Sequence, residues 1–327
     1  METQVILRAE HMYKSFGVTK AVVDFSMELK RGRIHGLIGE NGSGKSTFSS
    51  MVAGLYKPDK GDMYINGERY APNSTEDAAK HRVALVVQEI GTIGSITVAA
   101  NIFLNKEQRF AKLHMINYAA MNREAKKILD VIGGEHIDPA AVTNSLNLED
   151  RKLVEIARAM SCEPEVLIID ETSNALTTRG RGILYQNMRA VRDRGGAVLF
   201  ITHDMNELVE MCDTVTIMRD GVFVKNLAKE EMDTGRMKEL MVGREIADNY
   251  YRSDSTPDYK DRVVFKAENI FSPELRGVSL ELHEGEILGI GGLSESGMHE
   301  LGRGHSQPPF PELCRAPRGR CRRRGRV

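Results

Sequence analysis

The chain has 327 residues, with 45 Lys plus Arg against 46 Asp plus Glu, 41% apolar residues, four Cys and no Trp. At about 150 residues per domain, this length suggests two globular domains, and ordinary apolar content with mixed charge excludes general disorder. The apolar runs are strand-sized, far short of the about 18 residues of a spanning helix. The first thirty residues hold no apolar signal region, four unpatterned Cys fit a reducing cytosol, and a net charge of -1 argues against nucleic-acid binding through bulk positive charge.

Residues 1–243 alternate short β-branched runs with longer helical patterns, which predicts an α/β domain with a largely parallel sheet. The expected strands are 34–38, 83–87, 166–169, 197–201 and 215–218. After the first of them, Gly39, Glu40, Asn41, Gly42, Ser43, Gly44, Lys45, Ser46 and Thr47 satisfy G-x-x-x-x-G-K-[ST]. Phe48, Met51, Val52 and Leu55 then make the i, i+3, i+4, i+7 stripe of a helix. Such a loop turns backbone N–H groups onto phosphate oxygens at a helix N-terminus. Lys45 neutralises the β and γ phosphates, and the Ser46 hydroxyl ligates Mg2+. A chance glycine turn before a helix is the bland alternative.

The stretch 101–160 is rich in helical periodicity and predicts a helical subdomain over about 89–160. The buried strand 166–169 then delivers Asp170 and Glu171 at the C-terminal edge of the sheet, where ligands of parallel sheets collect. In that position Asp170 holds the metal and Glu171 activates the attacking water, the alternative being two solvated acids. Cys162 and Cys212 are expected as core residues at helical positions, and Cys314 and Cys321 lack a partner set for zinc. A polar stretch, 244–261, reads as a linker. Beyond it 279–297 echoes 26–44, a domain-scale repeat, so 262–302 is expected to be the start of a second copy. The repeat keeps the glycines of the phosphate loop but places Met298 and His299 where the first copy has Lys45 and Ser46, so the second site is expected not to hydrolyse nucleotide. Residues 303–327 carry eight Arg, no Lys and four Pro without periodicity. A shifted reading frame, a disordered extension and a basic functional tail remain open for it.

Taken together and in order, these motifs over about residues 4–302 resemble the nucleotide-binding subunits of ABC transporters, a P-loop NTPase fold with a helical subdomain. The resemblance implies roles for further residues. Gln88 looks like the glutamine that contacts Mg2+ and faces the transmembrane partner, His203 like the switch histidine on the γ-phosphate, and Phe16 like the aromatic that stacks on adenine. Asn174 to Thr177 look like the loop after the catalytic carboxylate. A narrower similarity is to tandem ATP-binding subunits of ribose, xylose and galactose importers. It implies ATP and Mg2+ as cofactors, transmembrane permease subunits and, indirectly, an extracytoplasmic sugar-binding protein as partners, no nucleic acid, and the cytoplasmic membrane face as location. It also implies a second ABC unit for each composite site. The chain departs from the family at its signature, expected as Leu-Ser-x-Gly-Gln and here Leu146, Asn147, Leu148, Glu149 and Asp150. Two carboxylates there repel a triphosphate but suit an ordinary capped helix. The expectation is therefore a chain that binds Mg-ATP and hydrolyses it slowly by itself. An importer of nucleosides or another solute, a soluble non-transport ABC ATPase and a decayed fragment are the alternatives.

Overall fold

The first two strands, β1 (Val5–Phe16) and β2 (Thr19–Lys30), form an antiparallel hairpin whose tight turn contains Gly17 in the left-handed region. In this computed structural model residues 4–87, 89, 91–112, 115–243, 259–272, 275–292 and 297–303 are described. Expectations for Gln88, most of the 244–261 linker, the glycine-frame residues 293–296, the tail 304–327 and its Cys314 and Cys321 lie outside the described residues. Two compact units emerge, residues 1–246 and 247–327.

In the first unit the hairpin continues into β3 (Arg33–Ile38), the phosphate loop and α1 (Lys45–Val52), then into β4 (Lys60–Ile65), β5 (Glu68–Tyr70), α2 (Thr75–Lys80) and β6 (Val83–Val86). The helical part contains α3 (Val98–Ile102), α4 (Tyr118–Ile132) and α5 (Leu148–Met160). It is not helical throughout: β7 (Ala111–Lys112) and β8 (Met115–Ile116) pair antiparallel inside it, a local hairpin too short to leave a period-2 pattern. The Asn117 side chain caps α4, Gly133 at φ 91° ends it, and Met121, Ala125, Leu129 and Ile132 make its buried stripe. The chain then runs through β9 (Val166–Asp170), α6 (Thr178–Asp193), β10 (Ala197–Ile201), α7 (Met205–Met211), β11 (Thr214–Arg219), β12 (Val222–Ala228) and α8 (Thr234–Val242). Among the described residues no helix is long and apolar enough to cross a membrane.

The central sheet has the order β12-β11-β3-β10-β9-β6, parallel except for the β11–β12 pair. A second, antiparallel sheet, β2-β1-β4-β5, covers one of its faces, and composition alone did not foretell it. Successive residues of β9 and β10 point to opposite faces. Val166, Ile168, Leu199 and Ile201 pack with α1 and the antiparallel sheet, whereas Leu167, Ile169, Val198 and Phe200 pack with the helices. Each such side chain, fully buried, contributes about 1.5–3 kcal/mol, which is why both strands read as continuous apolar runs. Leu55 falls beyond the end of α1 and is 49% exposed, so the expected four-residue stripe stops at Val52. Neither cysteine is helical: Cys162 follows α5 half-buried, and Cys212 is the buried residue that ends α7.

The second unit contains β13 (Lys260–Phe271), β14 (Arg276–Glu284) and the short α9 (Met298–Arg303). Its hairpin repeats the first one in detail. Ser26 Oγ accepts from the His11 N–H at 2.9 Å, and Ser279 Oγ from the Asn269 N–H at 3.0 Å. His11 (φ 50°) and Asn269 (φ 51°) both adopt the left-handed conformation of a bulge, as do Asp24 (φ 50°) and Gly277 (φ 71°) across from them. The repeat thus reaches back to the segments 8–13 and 266–271, Arg-Ala-Glu-His-Met-Tyr against Lys-Ala-Glu-Asn-Ile-Phe. A different turn length between the strands hid this match at fixed offset. Ala267, Ile270, Leu275 and Leu301 form the unit's small core, and residues 286–290 form no strand.

Candidate functional site

The strand β3 is buried from Ile34 to Ile38 and delivers the chain to the edge of the sheet at Gly39. A Cβ at Gly39 would run into the Met218 carbonyl, and one at Gly44 into the Ala21 carbonyl, so both positions require glycine for close approach. Gly44, at φ 100°, is the N-cap of α1, with no side-chain cap and no acidic residue in the first turn. The helix therefore presents its N–H groups and positive dipole end without an internal anion, the arrangement that receives phosphate. Glu40, Asn41 and Gly42 form the exposed outer turn, closed by the Ser43 N–H donating to the Glu40 carbonyl at 3.1 Å. Inside it, the buried Lys45 Nζ donates to the carbonyls of Gly39 (2.9 Å) and Glu40 (3.0 Å). Burial pushes the Lys45 ammonium down, against the pull of the Glu171 and Asp170 carboxylates. Thr47 follows on α1, half-buried.

Asp170, the last residue of β9, is joined to the loop by hydroxyls. Ser49 Oγ donates to its Oδ2 at 2.9 Å and Ser46 Oγ to its Oδ1 at 3.3 Å. Burial holds its carboxyl above the usual range, with the two serine hydrogen bonds and Lys45 opposing and Glu171 adding to the rise. A hydroxyl and a carboxylate at this separation form a hard-oxygen pair that fits Mg2+, and a bound dication would offset the buried charge. No cluster of three or more His, Cys, Asp or Glu suited to a metal occurs among the described residues. Glu171 follows at φ 45°, a left-handed conformation rare for a non-glycine, with its N–H donating to the Ile201 carbonyl at 2.9 Å. His203 lies exposed just beyond β10, the parallel neighbour of β9 in which Ile201 pairs with Asp170. Phe16 ends β1, 44% exposed, with the Lys14 ammonium 5.6 Å from its ring centroid and the Tyr56 ring edge-on at 5.2 Å. Ser49 and Tyr56 were not foreseen, although Ser49, one turn after Ser46 on α1, carries a spacing signal.

The five signature-position residues do not converge on the phosphate loop. Leu146 packs against the core, and Leu148 is 64% exposed. Asn147 is the N-cap of α5, its Oδ1 accepting from the Asp150 N–H at 2.8 Å. Glu149 Oε1 accepts from Thr177 Oγ at 2.7 Å, and Asp150 Oδ1 lies 2.7 Å from His136 Nε2. On the same helix Lys152, fully buried, pairs with Glu155 at 2.8 Å and donates to the carbonyls of Val87 and Glu89, while Glu155 accepts from the Gly91 N–H. These bonds anchor the segment that flanks Gln88. Thr177 also accepts from the Gly180 N–H and so caps α6. In the second unit Met298 opens α9 where Lys45 opens α1.

The family described as ABC transporter matches residues 22–174. The ribose import ATP-binding protein RbsA of Chromobacterium violaceum is 36% identical over 299 residues, which is 91% of this chain and 58% of that protein. The RbsA of a Ruegeria species is 34% identical over 308 residues, 93% of this chain and 59% of that protein. The chain therefore spans a little more than half the length of the curated relatives it matches. Among solved structures, an ABC transporter ATP-binding cassette in its ADP conformation superposes with a TM-score of 0.62 at 24% identity, over 74% of this chain and all of that one. A bacterial ABC transporter cassette solved as a dimer gives 0.60 at 21% identity, over 68% of this chain and 99% of that one. At these identities the likeness establishes the fold.

Proposed function

The chain carries an ABC transporter ATP-binding domain, and on that footing we propose that it is the ATP-binding subunit of a monosaccharide importer, acting at the cytoplasmic face of the membrane with separate permease subunits. The observation that carries the reading is the uncapped, acid-free N-terminus of α1 behind Gly44, with Lys45 buried beside it and Ser46 joined to Asp170. The sugar-import names of the relatives support the cargo class, and an extracytoplasmic sugar-binding protein would engage the chain only through the permease.

In this reading the adenine stacks on Phe16 and the phosphates lie against the N–H groups from Gly39 to Thr47, with Lys45 as their counter-charge. Ser46, Asp170 and Gln88 would hold Mg2+, which would supply neutralisation of the phosphate charge. Glu171 takes a proton from water as the water oxygen attacks the γ-phosphorus and the bond to the β-phosphate oxygen breaks. His203 steadies the γ-phosphate. Closure requires the signature of a second ABC unit, and the signature-position residues of this chain are engaged within its own fold. Mg-ATP binding is thus expected at one nucleotide per chain, with slow hydrolysis.

Equilibrium dialysis and steady-state phosphate release test this directly. One bound Mg-ATP, lost in Lys45→Ala, with turnover far below that of an intact importer subunit, is the expected outcome. Turnover at the intact rate that Lys45→Ala abolishes would overturn the slow-hydrolysis reading. Co-expression with ribose-importer permease subunits tests the transport assignment, for which co-purification is expected; salt-sensitive association with nucleic acid instead would favour a soluble ABC ATPase.

A further inference from the structure

The carboxylate of Glu207, on α7, is 6% exposed and draws together two segments that leave neighbouring strands of the sheet. Ser173 Oγ donates to its Oε2 at 2.7 Å, Thr202 Oγ to the same oxygen at 2.8 Å, and the Tyr185 hydroxyl to Oε1 at 2.7 Å. Arg181 adds an ion-pair contact to Oε1 at 3.8 Å. Burial and this carboxylate push the Tyr185 phenol well above its ordinary value, so it remains a donor. Ser173 and Thr202 are themselves buried, and the Asp204 N–H donates to Thr202 Oγ at 3.1 Å, completing a relay from the start of α7 through Thr202 into Glu207.

Ser173 stands two residues after Glu171, and Thr202 immediately precedes His203. The strands β9 and β10 hold their own ends in register, Asp170 beside Ile201 and the Glu171 N–H still bonded to the Ile201 carbonyl, but the segments that follow, with Ser173 and His203, lie beyond that ladder. One acceptor oxygen shared by Ser173 and Thr202 carries the register past the strand ends. An ionised carboxylate accepts all these bonds without supplying a competing donor, and O–H to carboxylate bonds of this length belong to the strong class.

We propose that Glu207 is a positioning residue that fixes Glu171 and His203 relative to one another, and through them sets the preference of the site for a nucleoside triphosphate over a diphosphate. The proposal rests on the nucleotide-binding reading above. Its logic is that Lys45 and the α1 N-terminus act on phosphates shared by ATP and ADP, whereas His203 and Glu171 face the γ-phosphate, which only ATP has. A device that aligns only the latter pair should change one affinity and spare the other.

The test is titration of the full chain with Mg-ATP and Mg-ADP by calorimetry, for the wild type, Glu207→Gln, Thr202→Val and Lys45→Ala. The Gln variant keeps the shape but offers one acceptor oxygen and a donor amide to three hydroxyl donors. We expect it to weaken Mg-ATP about tenfold while Mg-ADP stays within about twofold. Thr202→Val, which leaves Glu207 in place, should act in the same direction by a smaller factor and keeps the test decisive if Glu207→Gln fails to fold. Equal losses for both nucleotides would reduce Glu207 to a structural role, and no change for either would remove the coupling; both overturn the proposal. A wild-type chain that binds neither nucleotide, or a Lys45→Ala variant that binds both normally, would instead overturn the nucleotide-binding reading beneath it.

Discussion

The strand segment of residues 33–38 and its repeat at 286–291 share the frame Ile-x-Gly and arrive at different structures. In the first unit β3 lies between β10 and β11, and every residue from Ile34 to Ile38 is buried. In the second the counterpart of Ile34, Ile287, is 98% exposed, the counterparts of His35 and Leu37, Leu288 and Ile290, are 40% and 46% exposed, and no ladder forms. The hairpins that precede them are alike, down to the serine that accepts from a left-handed bulge residue. A two-stranded hairpin pairs through its own turn and here packs on Leu275 and Leu301, whereas a central parallel strand exists only when crossover partners bring it neighbours on both sides. Here the partners that make β3 a strand arrive more than 150 residues later, in β10 and β11.

The largest effect that could break this comparison is at the lysine. Lys45→Ala should weaken Mg-ATP on the order of a thousandfold, about 4 kcal/mol, because a buried charge partner of the phosphates is lost. Met298→Ala, at the matching position of the second unit, should leave the isotherm unchanged; a second class of sites that responds to it would show that the second unit binds nucleotide after all. Next comes the glycine two residues into each repeat of the strand. A Cβ on Gly36 would lie 2.7 Å from Leu208 Cδ2, 2.8 Å from Val215 Cγ2 and 3.0 Å from Cys212 Sγ, whereas one on Gly289 would meet nothing within 4 Å. Gly36→Ala should therefore destabilise the first unit by about 3 kcal/mol and Gly289→Ala by less than about 0.5 kcal/mol, compared as shifts of the urea midpoint at constant slope. Equal shifts would mean that residues 286–290 are packed in solution.

The same contrast explains what could be read from the sequence. The phosphate-loop motif, the strand that ends at Asp170 and the α1 stripe as far as Val52 are local patterns, so their places in the fold were legible in the order of residues. Glu207 was not, because its hydroxyl partners lie 5, 22 and 34 residues away and none belongs to a recognisable spacing. The antiparallel sheet escaped notice because the bulges at His11 and Asp24 interrupt the alternation of β1 and β2. The hairpin β7–β8 is two residues per strand, below any periodic signal. The capped start of α5 was legible as Asn147 followed three residues later by Asp150, but that Glu149 would reach Thr177 needed the fold.

A third consequence of the buried β3 is a pH dependence at a position where the second unit carries Leu288. His35 is 5% exposed, its Nε2 2.7 Å from Thr216 Oγ and its Nδ1 2.9 Å from Thr214 Oγ, both on β11. Burial, with Lys30 adding, lowers it from 6.5 to about 4. The folded state thus keeps the imidazole neutral in a range where the unfolded chain protonates it. Stability from this group is complete above pH 6.5 and is lost as pH falls from 6.5 toward 4, by about 2.5 kcal/mol near pH 4.5. His35→Gln, which takes no proton, should flatten the first unit's stability profile in that window; an unchanged slope would show that His35 titrates normally. At the repeat position stands Leu288, which contributes no such slope.

The smallest effect separates two helix starts within the first unit. α1 begins at Gly44 with neither side-chain cap nor acid, while α5 begins at Asn147, which caps it, and carries Glu149 and Asp150 in its first turn. An N-terminus satisfied by its own side chains has little left to offer a phosphate, since both its N–H groups and its dipole already face acceptors and negative charge. Asn147→Ala should cost about 1 kcal/mol of stability, the usual loss for a side-chain cap, and leave Mg-ATP affinity untouched. Asn147→Ser, which can accept from the same N–H, should restore most of it. The opposite pattern, unchanged stability with weaker nucleotide binding or weaker ATP-dependent pairing of chains, would make Asn147 a ligand. The start of α5 would then rank with that of α1 as part of a phosphate site instead of a closed helix end.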